Sequence, residues 1–210
     1  MAKGRRGKDQ KILNKEQADA LLKVPDVRWP TGHRNRVILE TLLYTGLRLG
    51  ELLNLKWKDI DFQSDWVYVT RAKWNGTRDI PLTAELKEAL LNWQARQKKE
   101  LGYNPQHVFT AMGRGAAGKP LQQRYIQKML ARYLGKAGIN MPVSPHNLRH
   151  TYATWMYEKY GDLYLVQELL GHKQITTTTV YAKLNKERVH RLGRALSLAD
   201  FAPKEEAQNV

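Results

Sequence analysis

Between Pro145 and Tyr181 the chain gathers a guanidinium, imidazoles and a phenol within a short span. It reads Pro145-His146-Asn147-Leu148-Arg149-His150, then Leu169-Leu170-Gly171-His172, then Thr176-Thr177-Thr178-Thr179-Val180-Tyr181. With a helix beginning near His146, His146 and Arg149 stand three positions apart on one face and can reach a single target. Gly171 suits the left-handed residue that ends a helix, which would hold His172 at a helix-to-helix corner. Tyr181 follows nine residues after His172. A planar cation, imidazoles and a phenol suit chemistry on an anion, and phosphate is the anion that such a fork fits best. Each piece alone has a plainer reading: a Tyr on an apolar helix face usually packs, and a His at a helix start usually caps it.

What changes the balance is a partner far upstream, Thr45-Gly46-Leu47-Arg48-Leu49-Gly50-Glu51-Leu52. With it included, the sequence resembles the tyrosine recombinases, the phage-integrase family of site-specific DNA strand-exchange enzymes. That family's pattern is T-G-x-R-x-x-E-L, a Lys on a β-hairpin, H-x-x-R, a G-H pair, and a nucleophilic Tyr nine residues past that His. All five elements occur here in order, and the resemblance runs from about Leu13 to about Leu196. It implies an α+β, mainly α-helical catalytic domain with a small antiparallel β-sheet or hairpin. Arg48, Lys73, His146, Arg149, His172 and Tyr181 would be catalytic, with Glu51 in support. The implied activity is site-specific recombination or integration, cleaving and rejoining strands through a 3′-phosphotyrosine with no metal or other cofactor. Arg48, Arg149 and His172 would hold the phosphate, Tyr181 would attack it with help from His146, and Lys73 would protonate the departing 5′-oxygen. Gly76 stands where many relatives carry a second Lys, which removes one expected phosphate contact. Two rival readings are a type IB topoisomerase-like relaxation activity and a non-catalytic DNA-binding regulator of the same fold.

Charge points the same way. The chain of 210 residues carries 35 Lys and Arg against 20 Asp and Glu, a formal net charge of +15, and such an excess suits a polyanionic partner. From Leu101 to Tyr157 there is no acidic residue, while Arg114, Lys119, Arg124, Lys128, Arg132, Lys136 and Arg149 fall in that stretch. Arg124, Lys128, Arg132 and Lys136 are accordingly expected to contact DNA, and the resemblance adds Arg78, which with Lys73 and Pro81-Leu82 keeps the family's spacing. Cysteine is absent, which removes disulfides and thiolate chemistry. There is no long apolar run or signal pattern, so the expectation is a cytoplasmic, DNA-associated protein with no membrane partner. Double-stranded DNA is the expected partner, with self-association as a tetramer on paired sites and accessory DNA-binding proteins beside it. The length suits one domain, read as a basic arm at 1–12, a catalytic domain at 13–198 and a flexible tail at 199–210. Many relatives carry a further helical DNA-binding domain ahead of this one, so the chain is expected to be either an excised catalytic domain or a naturally short recombinase.

The elements that must position these groups follow from caps and periodicity. Asn14 and Gln17 form a capping-box pattern, opening a helix with Ala18, Leu21 and Leu22 inward. Residues 25–33 read as a loop, and a helix from about 35 buries Ile38, Leu39, Leu42 and Leu43 before ending at Gly46. Arg48 opens the next helix, with Glu51 three residues on to brace it. Residues 66–70 and 77–80 read as strands joined at Asn75-Gly76, with Lys73 just ahead of the turn and Pro81 ending the pair. Thr83 caps a long helix with Leu86, Leu90 and Trp93 inward. Residues 113–118 match G-x-G-x-x-G, yet Lys119-Pro120 follows before any helix, so a flexible hairpin loop is the better reading than a dinucleotide site. Over 122–137 a helix sets Arg124, Lys128, Arg132 and Lys136 opposite Ile126, Leu130 and Leu134. Helices are expected at 146–159, 163–170, 176–181 and 185–196. The His146/His150 spacing resembles zinc-binding helices, but no acidic ligand accompanies it and metal binding is not expected.

Overall fold

Caps and strand parity set most of the architecture. The structure, a computed structural model, describes residues 11–70, 77–113 and 115–171. In chain order these form α1 (Lys15–Lys23), α2 (Pro30–Thr45), α3 (Leu49–Asn54), a 3-10 turn (Trp57–Asp59), β1 (Ile60–Asp61), β2 (Trp66–Thr70), β3 (Thr77–Pro81), α4 (Ala84–Leu101), α5 (Gln123–Lys136), α6 (Pro145–Tyr160) and α7 (Leu163–Leu170). The expected class holds: the described residues are mainly helical, with one antiparallel sheet ordered β1-β2-β3. The expected capping box is present, with the Gln17 amide donating to Asn14 Oδ1 at 2.8 Å and the Asn14 amide to Gln17 Oε1 at 3.1 Å.

α2 begins at Pro30, earlier than the loop expected over residues 25–33 allows. Pro30 occupies the first helical position, where its missing N–H costs nothing. The inward residues of the first turns are Gly32, Arg34 and Asn35, not aliphatic side chains, so apolar periodicity could not reveal them. Gly32 is required there: a Cβ would lie 1.9 Å from the carbonyl oxygen of Asp26. Further along, Val37, Ile38, Leu39, Leu42 and Leu43 are fully buried, and α2 packs on both α4 and α6.

Arg34 and Asn35 tie α2 to α5. Arg34 Nη1 donates to the Thr110 carbonyl at 2.9 Å, its Nη2 to Asn35 Oδ1 at 2.9 Å and to the Tyr125 hydroxyl, and Asn35 Nδ2 donates to the Tyr133 hydroxyl at 2.9 Å. Tyr125 and Tyr133 both lie on α5, so these bonds and the buried Ile126, Met129, Leu130 and Leu134 fix its inner face. The opposite face leaves Arg124, Lys128, Arg132 and Lys136 exposed, as the periodicity predicted. Thr110 pairs with Pro120 across the glycine-rich segment, which accords with a hairpin loop.

β2 and β3 pair with Val67 opposite Ile80 and Val69 opposite Arg78. Opposed residues share a face of an antiparallel sheet, and all four of these side chains are buried. α6 and α7 close the fold with a smaller cluster of Tyr152, Ala153, Val166, Leu169 and Leu170. No helix among the described residues is long and apolar enough to cross a membrane. The basic arm before Lys11, the Lys73 segment with its Asn75-Gly76 turn, Arg114, His172, Tyr181, the helices expected at 176–181 and 185–196, and the tail all lie outside the described residues.

Candidate active site

α6 is set in phase at its start. Ser144 and Asn147 cap each other reciprocally, the Ser144 amide donating to Asn147 Oδ1 at 2.9 Å, and Pro145 takes the first helical position. That phase turns Pro145, Leu148, Arg149, Tyr152 and Ala153 inward. Arg149 is thus a cation in an apolar stripe, only 2% exposed. Its Nη1 donates to the Gly46 carbonyl at 2.6 Å and its Nη2 to the Leu170 carbonyl at 2.5 Å. Those acceptors lie at the C-terminal ends of α2 and α7, where carbonyls carry partial negative charge, so backbone dipoles help to accommodate the buried cation. Gly46 is needed for two reasons: its φ is +61°, and a Cβ would meet Tyr152 Cδ1 at 2.4 Å. The glycine of the T-G-x-R segment therefore seats Tyr152 and presents the carbonyl that orients Arg149.

Two residues beyond Gly46, Arg48 caps α3. Its amide donates to Glu51 Oε2 at 2.8 Å and its Nη1 to Glu51 Oε1 at 3.0 Å, while nearly half of its side chain, 47%, stays open to solvent. The expected Arg48–Glu51 brace is present. Glu51 has a second partner that the spacing did not reveal. Arg78 Nη1 donates to Glu51 Oε1 at 2.9 Å and Nη2 to Oε2 at 2.7 Å, a bidentate fork, and Arg78 Nε donates to the Leu169 carbonyl at 3.0 Å. The Arg78 side chain is 4% exposed, so the guanidinium expected on the DNA side is turned inward. The signal was available in strand parity: Arg78 and Ile80 stand two apart and share the buried face.

Burial pushes the Glu51 carboxyl upward, but the fork and charge of Arg78, with the amide and charge of Arg48, outweigh that and hold it down at about 2, against an ordinary 4.5. A carboxylate depressed in the folded state contributes stability that is complete above about pH 4.5 and is lost as pH falls toward about 2. The contribution is up to about 3 kcal/mol, at about 1.4 kcal/mol per unit. Glu51→Gln is therefore expected to lower the melting temperature at pH 7 and to flatten its decline between pH 4.5 and 2. Thermal melts across that range check it, and an unchanged acid limb would remove Glu51 from the account.

His146 is exposed at the start of α6, and His150 sits one turn on with its ring edge-on to it, centroids 4.4 Å apart at 86°. Burial lowers the His146 pKa below 6.5, and the positive charges of Arg149 and Arg48 lower it further. His150 is held down at about 4 by burial, then by His146 and Arg149. Both rings are thus neutral at pH 7, able to accept a proton. Among the described residues no group of three or more His, Cys, Asp or Glu is placed to hold a metal ion. The nearby Tyr152 phenol is pushed up to about 12, chiefly by burial. The fold therefore brings Arg48, Glu51, Arg78, His146 and Arg149 to one corner, from positions as much as 101 apart in the chain. The α5 cations form a separate exposed stripe.

Comparison with known proteins gives the same bearing. Residues 11–188 match the profile of the phage integrase family. Tyrosine recombinase XerC of Pelotomaculum thermopropionicum is 35% identical over 186 residues, covering 88% of this chain and 60% of that protein. The crystal structure of XerA recombinase superposes with a TM-score of 0.73 at 29% identity, over 88% of this chain and 64% of that one. XerH site-specific recombinase, in a post-cleavage complex with palindromic difH substrate, superposes with a TM-score of 0.74 at 28% identity, over 89% of this chain and 53% of that one. The chain thus spans about 60% of the length of the curated relatives it matches.

Proposed function

The chain belongs to the phage integrase family, and from that footing we propose that it is a site-specific DNA recombinase that cuts and rejoins strands through a 3′-phosphotyrosine. The observation that supports this most is the bond from Arg149 to the carbonyl of Gly46, two residues ahead of Arg48. It gathers two guanidiniums beside one imidazole, an arrangement suited to a phosphodiester, whose non-bridging oxygens gain charge as it is attacked. Arg48 and Arg149 hold the scissile phosphate and stabilise that charge, and His172 adds a donor. A free phenol titrates near about 10, so the Tyr181 hydroxyl gives up its proton as it attacks phosphorus. His146, whose pKa is lowered by partial desolvation and by the charges of Arg149 and Arg48, receives that proton. As the new Tyr–O–P bond forms, the P–O5′ bond breaks and Lys73 protonates the leaving oxygen. A 5′-hydroxyl of a partner strand then attacks the ester and releases Tyr181. The bond count is conserved at both steps, so no nucleotide triphosphate is consumed.

The exposed Arg124, Lys128, Arg132 and Lys136 stripe lies along the DNA backbone, where contacts position the protein without specifying sequence. Site choice then comes from several protomers, as a tetramer on paired sites in the nucleoid, with accessory DNA-binding proteins where the site requires them. Residues 185–196, with Val189, Leu192 and Leu196 at helical spacing, supply the link between protomers.

Because positive charge at the phosphate comes from side chains in this mechanism, cleavage is expected to proceed in excess EDTA. Nicked duplexes drawn from DNA of the source genome, incubated with the chain and run on denaturing gels, test both points. A covalent protein–DNA band formed in EDTA is the expected result. No band under any condition, or one that requires added Mg²⁺, would overturn the proposal.

A further inference from the structure

We propose that Arg78 is a positioning residue for the two phosphate-holding arginines, setting Arg48 through Glu51 and Arg149 through the end of α7. The inference deepens the proposed function and rests on its reading that Arg48 and Arg149 grip the scissile phosphate. Five contacts and two short stretches of chain close a circuit. From Arg48 it passes to Glu51 at 3.0 Å, to Arg78 at 2.7 and 2.9 Å, and from Arg78 to the Leu169 carbonyl at 3.0 Å. The next carbonyl, Leu170, accepts from Arg149 at 2.5 Å, and Arg149 reaches Gly46, which leads back along the chain to Arg48. Arg78 is the one side chain in this circuit that touches both halves, the α3 carboxylate and the α7 terminus.

Charge explains why the position needs a guanidinium. Glu51 faces two of them, the buried Arg78 and the half-exposed Arg48. The bidentate fork engages both carboxylate oxygens from the inner side, so Arg48 is braced by Glu51 without being the sole counter-charge to it. The trio Arg48, Glu51 and Arg78 carries a net charge of +1, left to act on an approaching phosphate. Without Arg78, Glu51 would neutralise Arg48 alone and draw it away from that phosphate. A Lys keeps the charge but cannot bridge both carboxylate oxygens while reaching a carbonyl with a third, in-plane donor. A direct DNA contact is a poor account of Arg78, because each of its three nitrogens is bonded inside the protein and two of them are neutralised by the Glu51 carboxylate.

The test compares wild type, Arg48→Ala, Arg78→Lys, Arg78→Gln and the Arg78→Gln/Glu51→Gln pair. Three quantities are measured on one nicked substrate: melting temperature, DNA affinity with its salt dependence, and the rate of covalent adduct formation at saturating DNA. For Arg78→Lys, affinity and salt dependence are expected to stay within about twofold of wild type while the adduct rate falls at least about tenfold, well below the melting transition. Arg78→Gln should be slower still, and the double variant should recover part of that loss because Glu51 no longer competes for Arg48. Should the single variants fail to fold, the double variant, which leaves no uncompensated buried charge at this junction, carries the test: a slower adduct rate at unchanged affinity is expected. A lower melting temperature with wild-type adduct rate would reduce Arg78 to a structural role and sink the inference. Weaker binding with a shallower salt slope would make it a phosphate contact instead. If wild type forms no adduct, or Arg48→Ala forms it at the wild-type rate, the underlying reading of the site fails and the inference goes with it. Normal behaviour of those two, with Arg78→Lys cleaving at full rate, refutes the inference alone.

Discussion

Tyr181→Phe is expected to abolish the covalent protein–DNA band while leaving DNA affinity and melting temperature unchanged. The substitution removes one hydroxyl, so packing and phosphate contacts persist and only the attacking oxygen is lost. Other phenols in the chain are poor substitutes. Tyr152 packs against Gly46 and feels the charge of Arg149, but it is buried and its proton is held up to a pKa of about 12, which disfavours the phenolate needed for attack. Tyr164 is 73% exposed on α7, and no positive group or proton acceptor is bonded to its hydroxyl among the described contacts. Denaturing gels of the two proteins on the same nicked duplex check the prediction. An equal yield of adduct from Tyr181→Phe would move the nucleophile elsewhere, and peptide mapping of that adduct would identify it.

How much of this was legible in the sequence depended on whether a residue's type announced its job. Capping residues did: Asn14 and Thr83 open helices because short polar side chains satisfy free amides there, and little else competes for that role. The α5 stripe was legible because cations every fourth residue opposite an aliphatic stripe admit one orientation. Arg48 and Glu51 were legible as a pair from their spacing. The start of α2 was not, because its inward face is built from Gly32, Arg34 and Asn35, which carry no apolar period. The inward turn of Arg78 was missed for a related reason. The family's spacing argued for a DNA contact, strand parity argued for the interior, and the partly buried carboxylate of Glu51, distant in sequence, compensates the cation there. The circuit that seats Arg149 was beyond sequence reading altogether, since its acceptors are main-chain carbonyls of Gly46 and Leu170, and a carbonyl has no residue type.

Arg149→Lys is the second substitution expected to have a large effect, and the reason is geometric. The guanidinium is seated on two backbone carbonyls and presents a planar fork, whereas an ammonium on a flexible stem is a point charge that cannot span both acceptors in one plane. Loss of one preorganised donor to a developing oxyanion slows chemistry by about 10²–10³-fold, equivalent to about 3–4 kcal/mol in the barrier. The adduct rate at saturating DNA is expected to fall by that amount, accompanied by a lower melting temperature because two helix ends lose a donor. A substrate with sulfur in place of the bridging 5′-oxygen separates this defect from a failure of leaving-group protonation, since a thiolate departs without an acid. Lys73→Ala should recover most of its lost rate on the sulfur substrate, and Arg149→Lys should recover little, because the non-bridging oxygens still gain charge when sulfur leaves. Equal rescue of both variants would mean that Arg149 and Lys73 do not act on different atoms of the phosphate, and the division of labour at this site would have to be redrawn.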